Sequence, residues 1–210
     1  MTSALPTGLT DCLLWSDELG RGFHPRPPMD YSGPYFEKYQ QLDATEMGAA
    51  LTRARVEFVR RHTGLPPVDI GIGGGRFVTE VEGWGYDVNA EAVDWLCRQG
   101  RFFDIYAHHA EAITCWDSLE HIPEPERLLD QAGEWVFVSM PIYRDQAHCL
   151  ASKHYKPGEH LHYFTHRGLL QWFEQQGFAC VEYNDIESQL GREGITSYAF
   201  RRFREPADHR

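Results

Sequence analysis

Apolar positions recur at two different periods along this chain. Between Ala44 and Gly64, residues Met47, Ala50, Leu51, Ala54, Val56, Phe58 and Val59 return at the spacing of an amphipathic helix, with Thr45 as its cap and Gly64 as its stop. From Val68 onward, short apolar runs of strand character alternate with helical stretches. "VDIGI", "WGYDVN", "FFDIYA", "AITCWDS" and "WVFVSMP" read as five strands, and "GRFVTEVEG", "AEAVDWLCRQG" and "EPERLLDQAG" as helices among them. "THRGLLQWFEQQG" reads as a further helix that closes at Gly177. Two strands, "FACVEYNDIES" and "GITSYAFRRF", follow it and are joined by "QLGREG". Strand–helix alternation at this period predicts an α/β fold, a mostly parallel sheet with helices on both faces. Two strands after the last helix predict a hairpin at one sheet edge.

Outside that pattern, residues 1–34 are rich in Pro and Gly and read as an irregular arm with a short turn of helix near Leu13–Leu19. The aromatic cluster Tyr31, Tyr35, Phe36 and Tyr39 leads from the arm into the first helix. "REPADHR" reads as a frayed tail. The expected division is an arm or cap over 1–40, one domain over 41–204 and a tail over 205–210.

Composition narrows the class. Of the 210 residues, 42% are hydrophobic and 24% charged, ordinary for a soluble globular protein. No apolar run approaches the roughly 18 residues of a membrane span, and "MTSALPTGLTD" lacks a basic signal-peptide start, so the expectation is a cytoplasmic protein with no membrane partner. The net charge of −11 offers no global attraction to nucleic acid. Five widely spaced cysteines without a CxxC pair read as reduced thiols, mostly buried.

The candidate chemistry starts at "VDIGIGGG". In an open α/β sheet, ligands bind beyond the carboxyl ends of the strands, so the loop after the first strand is the prime position, and glycines there let a ligand touch the main chain. The phosphate-loop string G-x-x-x-x-G-K-[ST] is absent, and both registers of the dinucleotide fingerprint fail, at Arg76 and at Val78. What remains is acid-x-Gly-x-Gly-x-Gly, formed by Asp69, Gly71, Gly73 and Gly75. Asp87 ends the second strand, 16 residues after Gly71. A carboxylate there can accept both hydroxyls of a ribose, or it can cap the helix starting near Ala90, a role open also to Asn89.

The acid-and-glycine pattern resembles motif I of the class I S-adenosylmethionine-dependent methyltransferases. "CWDSLEHIPEPERLL" and "GEHLHYFTHRGLLQWFEQQGF" are similar to segments of the ubiquinone-biosynthesis-type and related small-molecule methyltransferases, so that the resemblance covers about Val68–Phe200. It implies a Rossmann-like seven-stranded sheet of order 3-2-1-4-5-7-6, with the last strand antiparallel. It also implies S-adenosyl-L-methionine as cofactor, held by Asp69, Gly71, Gly73, Gly75, Asp87, Val88, Trp116 and Asp117. The connection "YAHHAEAITCW" is shorter than in many relatives, leaving His108, His109 and Ala110 as local candidates for the adenine.

Methyl transfer needs an aligned and deprotonated acceptor. Asp117, Glu120 and His121 in "DSLEH" would face one pocket if the segment turns helically, and His160 and His162 in "GEHLH" would share one face if extended. Glu120, His121 and His162 are the catalytic candidates. Asp117, Glu120, His121 and His160 are candidate ligands of a divalent metal, Mg²⁺ or a softer Mn²⁺, Fe²⁺ or Zn²⁺, since an acid-x-x-Glu-His element is similar to the metal site of some ubiquinone-type and small-RNA 3′-end methyltransferases. His121 as a base without metal, and a structural role for Glu120, stay open. The long connection "IYRDQAHCLASKHYKPGEH" carries Tyr143, Arg144, His148, Lys153, His154, Tyr155 and Lys156, and reads as a structureless lid or a solvated loop. The leading function is methyl transfer to a small-molecule or modified sugar or base acceptor. A cofactor-binding partner without activity comes next and a nicotinamide oxidoreductase third, while a nucleic-acid methyltransferase is a substrate variant of the first reading.

Overall fold

The computed structural model describes residues 13–25, 31 and 34–203. Where an irregular arm with a helical turn was expected, it has a hairpin. β1 (Leu14–Ser16) and β2 (Arg21–Phe23) pair antiparallel around a turn at Asp17–Gly20. Gly20 adopts φ +59°, and a Cβ there would meet Thr165 Oγ1 at 2.4 Å, so glycine is required for the turn to dock. Three-residue strands carry too little alternation to show in a sequence pattern.

α1 (Tyr35–Asp43) and α2 (Glu46–His62) follow. Thr45 caps α2 as expected, its Oγ1 accepting from the Gly48 N–H at 3.0 Å. The alternating part then runs β3 (Val68–Ile70), α3 (Arg76–Val81), β4 (Trp84–Tyr86) and α4 (Ala90–Arg98). "FFDIYA" does not form the expected strand: it contributes a single parallel bridge, Phe102 to Gly85. The Asp104 carbonyl accepts from Ala107 and His108, and its side chain from the Tyr106 N–H, so a turn takes the backbone groups a strand would need.

β5 (Ala110–Trp116), α5 (Pro125–Leu129) and the long β6 (Ala132–Tyr143) complete the centre. The connection expected to be structureless contains α6 (Gln146–Ala151), capped by Asp145. "HYFT" is a strand the pattern did not reveal, β7 (His162–Thr165), ahead of α7 (His166–Gln175). β8 (Phe178–Asn184) and β9 (Ile195–Arg202) form the expected edge hairpin, with α8 (Ile186–Gln189) set into its connection.

β4, β3, β5 and β6 are parallel neighbours; β9 runs antiparallel to β6, and β8 antiparallel to β9. The fold is Rossmann-like, but the expected seven-stranded 3-2-1-4-5-7-6 order is met only in part: the third strand is reduced to the Phe102 bridge, and among the described residues the sheet has nine strands. The addition grows from the far end of β6. Its last residues, Ile142 and Tyr143, leave β9 and pair with β7, which carries β2 and β1.

One core layer joins Val68, Ile113, Val136 and Val138 to Leu169, Phe173 and Phe200, with Phe173 and Phe200 stacked at 3.6 Å. The other packs α2 and α3 through Val56, Phe58, Phe77 and Val81 against Trp116, Trp135 and Phe137. All four described cysteines are free thiols, but only Cys115 and Cys149 are buried, Cys180 being half-buried and Cys97 exposed; Cys12 lies outside the described residues, as does the tail from 204 on. No described helix is long and apolar enough to cross a membrane.

Candidate active site

The glycine loop leaves β3 through Gly71 at φ +76° and enters α3 through Gly75 at φ +87°. Both conformations are costly for any residue with a Cβ. A Cβ at Gly71 would sit 2.9 Å from Ser118 Cβ, so the loop lies directly against the segment that follows β5. At Gly73 the nearest neighbour would be the Tyr39 ring at 3.6 Å, which leaves this point of the loop open. α1 lies over the other side: Asp43 accepts from the Arg76 N–H at 3.2 Å, and the Arg76 guanidinium donates to the Asp43 carbonyl.

Asp87 accepts from the Ile72 N–H at 2.9 Å and the Asn89 N–H at 2.8 Å, so it braces the loop from the end of β4. The helix cap is Asn89, whose Oδ1 takes the Glu91 and Ala92 N–H groups. That frees the remaining lone pairs of Asp87 for a ligand. Asp69 is buried beneath the loop and accepts from Thr114 Oγ1 at 2.7 Å, tying β3 to β5; burial pushes its pKa up to about 7. Val88, beside Asp87, is 72% exposed, and Tyr106, edge-on to Tyr86, is 40% exposed. His108 and His109 are exposed, whereas Ala110 is buried at the start of β5. Nothing in the sequence pattern had singled out Tyr106, which sits in the failed strand.

Past β5 the predicted D-x-x-E-H group divides. Trp116 is buried between Phe77 and the Arg55 guanidinium, and its Nε1 has no hydrogen-bond partner among the described residues. Asp117 takes a left-handed backbone, φ +54°, and turns its carboxylate to Arg55 at 3.2 Å and to Arg192. It therefore does not join Glu120 and His121. The helical register that would have aligned all three breaks at Asp117, and only Leu119–His121 forms a 3₁₀ turn.

Glu120 and His121 instead meet His160. One ligand-capable atom from each of the three lies within 4.8 Å of the others, and the two imidazoles cross at 87° with centroids 4.7 Å apart. The Leu161 N–H donates to the Glu120 carbonyl at 2.8 Å, locking the turn to the segment that carries His160. Glu120 is 1% exposed, and neither carboxylate oxygen has a hydrogen-bond partner among the described residues. His162 stands apart. Its Nε2 lies 2.9 Å from the Ile122 carbonyl oxygen and its ring packs beside Phe23 and Phe164. His160 sits in a turn, its N–H donating to the Lys156 carbonyl, so the alternation that would have placed the two histidines on one face never begins.

Burial, reinforced by Asp117, pushes the Glu120 carboxyl well above the carboxylate range. It holds His121 below its ordinary value and His160 down at about 2. Two neutral imidazoles and one buried carboxyl with unused oxygens could supply donors to a divalent ion, a set better suited to Mn²⁺, Fe²⁺ or Zn²⁺ than to Mg²⁺, which prefers oxygen throughout. His121 Nδ1 lies 2.9 Å from the Glu159 carbonyl oxygen and 2.9 Å from the Tyr31 hydroxyl.

Tyr31, Tyr35 and Tyr39 run as a ladder of rings from His121 towards the glycine loop, with centroid steps of 5.2 and 4.7 Å. Asn89 Nδ2 anchors the ladder by donating to the Tyr31 carbonyl. Phe36 points away, buried against Trp95. Around the connection after β6, the buried Tyr143 donates to the His154 carbonyl and its ring contacts Tyr163 and His148, and Tyr155 packs on Tyr163. Lys153 pairs with Glu193 and Lys156 with Glu159, so these lysines carry carboxylate partners, while Arg144 is exposed.

Residues 40–183 match a family model described as a methyltransferase domain. Curated protein sequences yield no match. Among solved structures, the chain is similar to the magnesium protoporphyrin IX methyltransferase of Synechocystis PCC 6803 with bound S-adenosylhomocysteine, at 12% identity and TM-score 0.58, over 82% of this chain and 96% of that one. It is similar to a SAM-dependent methyltransferase of Thermotoga maritima at 13% identity and TM-score 0.59, over 81% and 96%. A Haloferax volcanii methyltransferase solved in complex with the Trm112 methyltransferase activator matches at 13% identity and TM-score 0.59, over 83% and 98%.

Proposed function

This chain belongs to the class I S-adenosylmethionine-dependent methyltransferases, and we propose that it transfers the methyl group to an oxygen of a small-molecule acceptor presented at Glu120, His121 and His160. The donor lies along the glycine loop, with its methionine end at Gly71–Gly75 and its ribose on the free lone pairs of Asp87. Val88 and Tyr106 flank the adenine. Trp116 Nε1 is a donor available to the bound molecules, and Asp69 acts from beneath by fixing the loop to β5.

The observation that carries the acceptor reading is Glu120. A buried carboxyl with no hydrogen-bond partner costs about 1–3 kcal/mol, and such a group next to the buried His160 and the half-buried His121 imidazoles at the carboxyl end of the sheet is best explained by a ligand that satisfies it. We assign that ligand as a divalent cation of the borderline type. Bound there, it would lower the pKa of an acceptor hydroxyl by Lewis acidity.

The chain's own residues do the remaining work. Donation from His121 Nδ1–H to the Glu159 carbonyl selects the tautomer whose Nε2 keeps a lone pair, and depression of the imidazole pKa keeps it neutral at pH 7. Neutral His121 can ligate the cation or take the acceptor proton. The tyrosine ladder covers the space between His121 and the glycine loop and excludes water, while alignment of acceptor and methyl group supplies the proximity term. The net charge of −11 and the carboxylate partners of Lys153 and Lys156 favour a small molecule over nucleic acid.

Calorimetric titration tests both halves. S-adenosylmethionine and S-adenosylhomocysteine should bind at micromolar concentrations and NADH should not. Zn²⁺ or Mn²⁺ should bind the wild type and not Glu120→Gln. Absence of S-adenosylmethionine binding would overturn the donor seat. Absence of cation binding would remove the metal and leave His121 as the base.

A further inference from the structure

Four charged side chains meet beside Trp116, on the flank of the cluster formed by Glu120, His121 and His160. Arg55 from α2 grips Glu187 of α8 with two bonds, Nε to Oε1 at 2.7 Å and Nη2 to Oε2 at 2.8 Å, and its Nη2 also reaches Asp117. Arg192 Nη1 donates to Glu187 at 2.6 Å and to Asp117. Glu187 is fully buried and accepts in addition from Ser139 Oγ at 2.7 Å. Ser139 in turn takes the Asp117 N–H on its carbonyl at 2.7 Å, so the ring of contacts closes on itself.

We infer that the Arg55–Glu187–Arg192–Asp117 quartet is a positioning device that sets the Leu119–His121 turn and thereby aims Glu120 and His121 at His160. The inference rests on the reading of that cluster as a cation seat.

The mechanical link is short. Asp117 is one of two described non-glycine residues with positive φ, so its backbone has to be held there by its surroundings. Two residues separate it from Glu120, and the intervening turn is closed by His121 N–H to the Ser118 carbonyl at 3.0 Å and Ile122 N–H to the Leu119 carbonyl at 3.2 Å. The Leu161 bond to the Glu120 carbonyl fixes the far end. A displacement at Asp117 therefore passes to Glu120 rather than dissipating in a loop. The charges explain why the position is unique: two guanidiniums are shared between two carboxylates, bidentate on one side, which specifies orientation as well as proximity. Without the Glu187 charge, both guanidiniums would have Asp117 as their only anion in the quartet.

Glu187→Gln in the full-length protein tests the inference, read out by Zn²⁺ affinity, S-adenosylhomocysteine affinity, melting temperature and the imidazole ¹H–¹³C resonances of His121 and His160 in chelator. Direct outer partners of metal ligands contribute about 10–100-fold in affinity; the quartet acts one step further out, so Zn²⁺ binding should weaken by up to about tenfold. The His121 resonances should move and S-adenosylhomocysteine affinity should hold. A lower melting temperature with Zn²⁺ affinity and His121 resonances at wild-type values would overturn the inference and leave the quartet a purely structural element.

Should the wild type bind no Zn²⁺, the cation reading fails by itself, and the His121 resonances still decide the positioning role. Asp117→Asn guards against misfolding, because asparagine tolerates the left-handed backbone while losing the charge. It should weaken Zn²⁺ binding and shift His121 in the same way, and wild-type behaviour in both would also overturn the inference.

Discussion

Replacing Glu120 by methionine should make the metal-free protein more stable while abolishing cation binding. The carboxyl is 1% exposed, has no hydrogen-bond partner among the described residues, and burial pushes its pKa well up. The cost of such a group is about 1–3 kcal/mol, all of which a side chain with no polar demand would recover. Methionine is unbranched, of similar length and adaptable, so the repacking penalty should stay below about 1.5 kcal/mol. The expected net gain is about 1 kcal/mol, and for a domain of this size each kcal/mol moves the melting temperature by about 2–4 °C. Scanning calorimetry in chelator should therefore place Glu120→Met a few degrees above wild type. Saturating Zn²⁺ at about 100 times Kd should add about 2.7 kcal/mol to the wild type by mass action and nothing to the variant, reversing the order. Glu120→Gln is the control that keeps a polar group in place and should gain nothing. A variant less stable than wild type in chelator would refute the reasoning, because Glu120 would then be satisfied and structural.

Asp87→Ala should weaken S-adenosylhomocysteine binding by at least tenfold in calorimetry, the loss of charge-assisted bonds of about 1.5–3 kcal/mol; unchanged affinity would remove the residue from the donor seat. Asp69 gives a pH test. Its folded pKa, about 7, lies above the ordinary 3.8, so the folded state holds the extra proton and this stabilising contribution is lost as pH rises through about 7. Asp69→Asn keeps an acceptor for Thr114 and cannot ionise. Its melting temperature relative to wild type should thus rise between pH 5.5 and 8.5, and a flat or falling difference would refute the burial argument. Asn89→Ala removes the α4 cap and the Tyr31 anchor and should cost about 1 kcal/mol in denaturant unfolding; an unchanged midpoint would mean that neither contact contributes.

The parts of this fold that the sequence disclosed are those whose information is local. The helical apolar spacing of α2, its Thr45 cap, the alternation of buried strands with helices, and the acid-and-glycine loop are each written within about twenty residues, and each appears in the structure. The failures share one cause: they depend on partners far away in the chain. β1, β2 and β7 are three or four residues long and exist because the end of β6 offers them an edge, which no periodicity can announce. "FFDIYA" has strand composition, yet the turn built on Asp104 takes its backbone donors. The site follows the same rule. Glu120 and His121 were legible as neighbours, but the choice of His160 over His162 is made by the Lys156 turn. Asp117 was grouped with Glu120 on spacing, and it is withdrawn by arginines 62 and 75 residues away in sequence. Long-range charge pairing thus reduces a four-ligand expectation to two imidazoles and one carboxyl, and of the ions that expectation allowed, the loss of an oxygen donor favours the softer Mn²⁺, Fe²⁺ or Zn²⁺ over Mg²⁺ for any ion proposed there.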